Sequence, residues 1–499
     1  MFEAAELGHK LTKKEFDKIV PELRTELLGL QMDLRQADFP VIILLAGVDG
    51  AGKHETVNIL NEWMDPRWII THAYGKSSEE EAERPEFWRY WRDLPPAGKI
   101  GIFISSWYSR PILDRVHRRT SRAELDEELD DVVAFERGLT DGGALVLKFW
   151  MHMSKKAQRR RFKELEREPL QRWRVTKTDW ANLERYDRFV AAAERAIMRT
   201  STGSAPWMIV EGVDPQYRYL AVATSVRDAV RKHLVARTGR PASTKRPPAK
   251  SRKPVIFDRG PTILESLDMT QALPRKQYEV ELKKQQGRVA TLFRRAKERG
   301  LSVILVFEGW DAAGKGGAVR RLTAALDAHD YQVIPIAAPT DEERAHHYLW
   351  RFWRHLSRVG RVTIFDRSWY GRVLVERVEG FATEAEWMRA YAEINHFEEQ
   401  LVRHGVVLVK YWLHITNDEQ LRRFKERQST SYKAWKLTDE DWRNREKWPL
   451  YAQAVNDLAE RTSTRVAPWT LVEANDKCFA RVKVLRTLAD RLEAALKKR

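Results

Sequence analysis

The chain repeats itself. Val-Ile-Ile-Leu-Leu-Ala-Gly-Val-Asp-Gly-Ala-Gly-Lys at 41–53 returns as Val-Ile-Leu-Val-Phe-Glu-Gly-Trp-Asp-Ala-Ala-Gly-Lys at 303–315, an offset of 262. The same offset pairs Trp88-Arg89 with Trp350-Arg351, and Ser106-Trp107-Tyr108 with Ser368-Trp369-Tyr370. It also pairs Arg161-Phe162-Lys163 with Arg423-Phe424-Lys425, and Pro206-Trp207 with Pro468-Trp469. No gap is needed from Leu11 onward, so the fold must be one domain written twice. The expected division is 1–237 and 263–499, joined by 238–262. Around that join, Arg240, Lys245, Arg246, Lys250, Arg252 and Lys253 stand among prolines without an acid, the composition of a solvated linker. A length of 499 residues independently suggests two domains.

Within the second copy, apolar runs at Val303–Phe307, Val362–Asp366, Val406–Trp412 and Thr470–Glu473 read as strands. Helical patterns at Gly317–Ala328, Glu384–His404 and Glu419–Arg427 separate them. Strands divided by helices, without hairpin turns, predict an α/β domain with a parallel sheet covered on both faces.

The turn after the first of these strands carries chemistry. Gly309, Gly314 and Lys315 fit G-x-x-x-x-G-K between strand and helix. Backbone amides from Gly309 through Ala312, Ala313, Gly314, Gly316 and Gly317 would turn inward around phosphate oxygens. The helix N-terminus adds partial positive charge and Lys315 a full one. Gly316 stands where Ser or Thr usually offers a hydroxyl to Mg²⁺, and Asp311 lies inside the loop. Asp311 is either a substitute magnesium ligand or a turn-former bonding its own backbone.

Asp366 closes the strand Val362–Asp366 and is read as a second magnesium anchor, with capping of the next helix as the alternative. Arg367 follows and offers a fork to a phosphate oxygen, with Arg372 and Arg377 further along. A third basic stretch runs through Arg422, Arg423, Lys425, Arg427, Lys433 and Lys436 to Arg443 and Arg445. Cations at that density suit a mobile cover closing over a polyanion. Trp435, Trp442 and Trp448 are interleaved with them, either as core at helical spacing or as stacking platforms.

A net charge of +17 favours a polyanionic partner. The single Cys478 excludes an intramolecular disulfide and a cysteine metal cluster. The first residues form no signal peptide and no stretch approaches 18 uncharged apolar residues, so the expected location is cytoplasmic, with no membrane partner.

Three segments together, Gly309–Gly317, Phe365–Tyr370 and Trp435-Lys-Leu-Thr438, resemble the polyphosphate kinase 2 family. That resemblance implies a P-loop kinase core with a helical lid, similar to thymidylate kinases, duplicated in tandem. It implies transfer of the terminal phosphoryl group of inorganic polyphosphate to AMP, giving ADP, with Mg²⁺ as cofactor. Lys315 would hold phosphates, Asp311 and Asp366 would serve Mg²⁺, Arg367 would grip the transferred group, and Arg427 would reach in from the lid. Arg372, Lys433 and Lys436 complete the expected phosphate contacts, nucleic acid is not an expected partner, and a homo-oligomer is compatible with the sequence. In the first copy the offset places Ile104 for Asp366, Ser105 for Arg367, His54 for Gly316 and Leu165 for Arg427. Its Lys53 and Asp49 remain, but a carboxylate and two arginines are gone, so that copy is expected to be catalytically weak or inactive. Two rival readings are an ATP-dependent nucleoside monophosphate kinase and a nucleic-acid-binding protein with vestigial loops.

Overall fold

The computed structural model describes residues 1–238, 262–429 and 439–498. Two compact units are present, Met1–Ser77 with Arg89–Lys250 and Asp341–His347, and Ser78–Trp88 with Ser251–Thr340 and Tyr348–Arg499. Each unit thus carries one short segment of the other repeat, which a single cut at the linker does not anticipate.

The first unit holds five strands, β1 (Val41–Gly47), β2 (Ile69–Ala73), β3 (Ile100–Ile104), β4 (Leu145–His152) and β5 (Trp207–Glu211), in the order β2-β3-β1-β4-β5. The second holds β6 (Val303–Gly309), β7 (Tyr331–Pro335), β8 (Val362–Asp366), β9 (Val407–His414) and β10 (Trp469–Glu473), in the order β10-β9-β6-β8-β7. Every pairing is parallel. The central strands β1 and β6 are buried along almost their whole length, which is why they read as continuous apolar runs rather than alternating ones.

Helices of eight residues or more among the described residues of the first unit are α1 (Lys13–Leu34), α2 (Lys53–Trp63), α3 (Ser109–Val116), α4 (Arg122–Asp141), α5 (Lys155–Arg167), α6 (Lys177–Glu184), α7 (Tyr186–Thr200) and α8 (Pro215–Thr238). Those of the second are α9 (Arg275–Glu298), α10 (Lys315–Thr323), α11 (Glu384–Arg403), α12 (Asn417–Gln428), α13 (Asp439–Glu446), α14 (Trp448–Thr462) and α15 (Lys477–Lys498). Helix α10 starts two residues earlier than the sequence pattern suggests and ends sooner. Gly314, at a φ of 107°, caps it in the left-handed region, where glycine is favoured. No helix among the described residues is long and apolar enough to cross a membrane.

The Ser-Trp-Tyr repeats have a structural explanation. In the second unit, Lys410 Nζ donates to Glu398 Oε2 at 2.7 Å, to the Tyr370 hydroxyl at 2.8 Å and to the Thr462 carbonyl at 2.8 Å. Trp369 Nε1 and the Tyr370 hydroxyl both donate to Glu398 Oε1, at 3.0 and 2.6 Å. The first unit reproduces the network with Lys148, Glu136, Trp107, Tyr108 and Thr200. Every polar group is fully enclosed and satisfied, so the pair fixes the segment that follows β8 (or β3) against α11 (or α4).

Candidate active site

The second unit gathers its chemistry at the carboxyl end of β6, where open parallel sheets bind ligands. The chain leaves β6 at Gly309, whose φ is 144° and where an added Cβ would stand 2.5 Å from the Leu413 carbonyl oxygen. Only glycine fits so close to β9. The loop then closes on itself: Trp310 donates its amide to the Leu413 carbonyl and Ala313 donates to the Trp310 carbonyl. Among the described residues the amides of Ala312, Gly314, Lys315 and Gly316 have no protein acceptor. Four free donors around a helix N-terminus form an anion cradle.

Lys315 folds back over that cradle, donating to the Gly309 carbonyl at 2.6 Å and the Trp310 carbonyl at 3.2 Å. Burial lowers its pKa, while Asp311 opposes the shift. The Asp311 carboxylate receives Arg367 at 3.3 Å on Oδ1 and Asn444 Nδ2 at 3.0 Å on Oδ2. Parallel register sets Asp366 beside Phe307, and the Arg367 amide donates to the Phe307 carbonyl at 3.0 Å. Arg367 has a φ of 66°, left-handed for a side chain-bearing residue, and remains largely exposed with its guanidinium turned to Asp311. The strand end and the loop thereby bring Asp311, Lys315, Asp366 and Arg367 together.

The outer residues of the expected set lie differently. Arg372 pairs with Glu376 at 3.1 Å and lies over the Tyr348 ring, while Arg377 pairs with Asp457 at 2.7 Å. Arg427 is half-buried in the last turn of α12 and does not line the pocket above the loop. Lys433, Lys436 and Trp435 lie outside the described residues. Trp448 stacks on Trp310 with ring centroids 3.6 Å apart, and Trp442 meets Phe424 edge-on, so both have protein partners.

Three participants have roles that the sequence reading did not give them. Arg423 is buried and bonds the carbonyls of Ala312, Ala313, Ala474 and Asn475, clamping the underside of the loop rather than facing a ligand. Asn444 holds Asp311. Glu308, buried just before the loop, accepts from Ser368 Oγ at 2.8 Å, and burial raises its pKa despite that bond. Its adjacency to Gly309 was the available signal, but an acid ending a buried strand has no distinctive spacing.

The model of the polyphosphate kinase 2 family matches residues 10–238 and again 272–499. The chain belongs to that family. A Pseudomonas aeruginosa relative named polyphosphate:AMP phosphotransferase is 52% identical over 499 residues, covering all of both chains. A second, from Pseudomonas syringae and named likewise, is 48% identical over 99% of each chain. A solved Pseudomonas aeruginosa structure described as a polyphosphate kinase 2 superposes with a TM-score of 0.89 at 50% identity, again over all of both chains.

Within this polyphosphate kinase 2 chain the first unit keeps the cradle with its lysine and aspartate but not the charged groups at the positions of Glu308, Asp366, Arg367 and Arg427. Lys53 donates to the Gly47 and Val48 carbonyls at 2.7 and 3.0 Å, and Asn182 holds Asp49 at 3.1 Å. Ile104 and Leu165 are buried apolar side chains, Ser105 keeps a left-handed φ of 52°, and Ala46 stands where the second copy has Glu308. The loop backbone is shared, and the side chains beside it differ between the copies.

Proposed function

We propose that the chain is a polyphosphate:AMP phosphotransferase working at the β6 site. The observation that carries this is the confinement of Asp311, Lys315, Asp366 and Arg367 to one cradle, in a chain whose full-length relatives bear that name. An AMP phosphate oxygen attacks the terminal phosphorus of the polyphosphate. The anhydride bond to the next phosphate breaks, the shortened chain leaves with the electron pair, and ADP is formed. Reversal lengthens the chain. The acceptor is already an anion, so no strong general base is required.

Positioning and charge neutralisation supply the catalysis. The free amides and Lys315 hold phosphate oxygens, and Arg367 exchanges its contact with Asp311 for the transferred group. Asp311 and Asp366 are hard oxygen donors, and no group of three or more metal-ligating side chains occurs among the described residues. That fits Mg²⁺, which takes one or two protein carboxylates and shares its remaining shell with phosphate and water. Asp311 and Asp366 would hold it, and it would supply neutralisation of charge on the transferred group. The first unit, lacking Asp366 and Arg367 equivalents, is assigned no turnover.

The test is nucleotide analysis of purified protein with Mg²⁺, AMP and long-chain polyphosphate and no ATP. ADP is the expected first product. ADP formed only when ATP replaces polyphosphate would overturn the donor, and no product in either mixture would overturn the reading.

A further inference from the structure

The first unit contains a cleft of about 700 Å³ between α3, α4 and α7. It shares no residue with the pockets above the two phosphate loops. Six arginines line it: Arg115, Arg118, Arg122, Arg188, Arg195 and Arg199, against the single carboxylate Glu194. Arg188, Arg195 and Arg199 follow one another at steps of seven and four, which places them on one face of α7. Arg115 ends α3, Arg118 lies in the next turn and Arg122 opens α4. Arg195 pairs with Asp126, and Arg199 with Asp130 at 2.7 Å. Arg115 donates to the Thr120 carbonyl at 3.1 Å. Arg118, Arg122 and Arg188 are exposed, and none has a carboxylate within ion-pair distance among the described residues.

The duplication supplies an internal control. At the offset of 262 the second copy has Gly380, Glu384, Leu450 and Asp457 where the first has Arg118, Arg122, Arg188 and Arg195. There Arg377, the counterpart of Arg115, pairs with Asp457 at 2.7 Å, donates to the Tyr391 hydroxyl at 3.0 Å and lies over the Trp387 ring. In the first copy those two rings are Leu125 and Leu129. Two ring-to-leucine differences leave room, and although Asp126 and Asp130 stand where the second copy has Met388 and Ala392, they pair with only Arg195 and Arg199 of the six arginines. The second copy lacks this cleft chemistry, and where the first has α3 it has a 3-10 turn, Trp369–Val373, followed by a short helix, Val375–Val378. Like charges gathered without a partner repel one another, and an anion seated among them relieves that cost.

We propose that this cleft binds a run of the inorganic polyphosphate chain and acts as an anchoring site for long donors, an inference that rests on polyphosphate being the donor. Guanidinium forks suit the oxygens of condensed phosphates. A nucleotide carries the same anhydride chemistry, but the uncharged lining is Leu125, Ala191, Ala192 and Met198, with no ring to stack a base. A donor held here remains bound while its free end is consumed, so the benefit grows with chain length.

The test uses the full chain with Arg118, Arg122 and Arg188 all changed to Gln, and a second variant with all three changed to Glu. With polyphosphate of hundreds of units, KM is expected to rise about tenfold in the Gln variant and further in the Glu variant. The kcat, the KM for AMP and the KM for tripolyphosphate should stay within about twofold. Direct binding of long-chain polyphosphate is measured in parallel in a Lys315→Ala background, where no turnover is needed. There the slope of log affinity against log salt should fall by about two when three cations are removed. This arm keeps its meaning even if the donor for catalysis is not polyphosphate. Unchanged long-chain KM and binding in both variants, at unchanged melting temperature, would overturn the proposal. Equal losses with tripolyphosphate would assign the arginines a structural role and overturn it too. So would ATP displacing long-chain polyphosphate from the cleft at equal phosphate concentration.

Discussion

At the carboxyl end of β9, His414 Nδ1 accepts the Trp310 indole N–H at 3.1 Å, and the same indole stacks on Trp448. Protonating that nitrogen would face two donors with each other. Burial lowers the His414 pKa to about 4, from 6.5, with Glu473 opposing. The unfolded chain therefore binds the proton more readily than the folded one between those values. Stability from this group is complete above about pH 6.5 and is lost as pH falls toward 4, by about 3 kcal/mol at the limit. Urea unfolding at pH 7.5, 6 and 5 should show that His414→Gln, which accepts without titrating, flattens the decline relative to wild type. Parallel slopes would mean that the indole contact is not coupled to folding. Tryptophan in the loop was legible as a residue; its partner 104 positions later was not, since nothing local marks a histidine as an acceptor.

At the level of elements, the central strands were legible because burial on both faces writes itself as an unbroken apolar run. β7 was not: it lies at the sheet edge, most of its residues are partly or fully exposed, and it ends on Pro335, so no apolar run marks it. The phosphate loop and Asp366 were legible for another reason, since strand, turn and helix follow one another in sequence. Arg423 was misread as a lid cation because its sequence neighbours are cationic, whereas it is buried and bonded to two carbonyls of the phosphate loop and two of the segment after β10. The Lys410–Glu398 pair also escaped, because a lysine inside a strand and a glutamate inside a helix announce no contact. Burial pulls both toward neutrality, raising the Glu398 pKa and lowering that of Lys410, and their mutual attraction opposes this. Removing one member leaves the other enclosed without its counter-charge, so Glu398→Gln should cost about 3–5 kcal/mol. Lys410→Met combined with Glu398→Leu should recover much of that loss, since the isolated charge disappears. A denaturant double-mutant cycle measures both, and additive losses would show that the two residues do not act as a pair.

Across the whole molecule, duplication was legible from the constant offset, but the exchanged segments 78–88 and 341–347 were not. A repeat match says that two stretches are alike and is blind to which copy each packs with. Lys53 and Lys315 make the same two carbonyl contacts, so a cradle and a lysine alone do not distinguish them. What differs is the set of groups beside each lysine, Asp366, Arg367 and Glu308 in one copy against Ile104, Ser105 and Ala46 in the other. Lys315→Ala should therefore lower turnover of AMP with polyphosphate by at least about a thousandfold, the scale of losing one preorganised charge. Lys53→Ala should leave it within about twofold, and the double variant should match Lys315→Ala alone, because only one site contributes to be lost. Steady-state rates for the three proteins, with melting curves to confirm folding, check this directly. A Lys53→Ala protein as impaired as Lys315→Ala would place phosphoryl transfer in the first unit as well, and its missing carboxylate would then have to be supplied by residues other than Ile104.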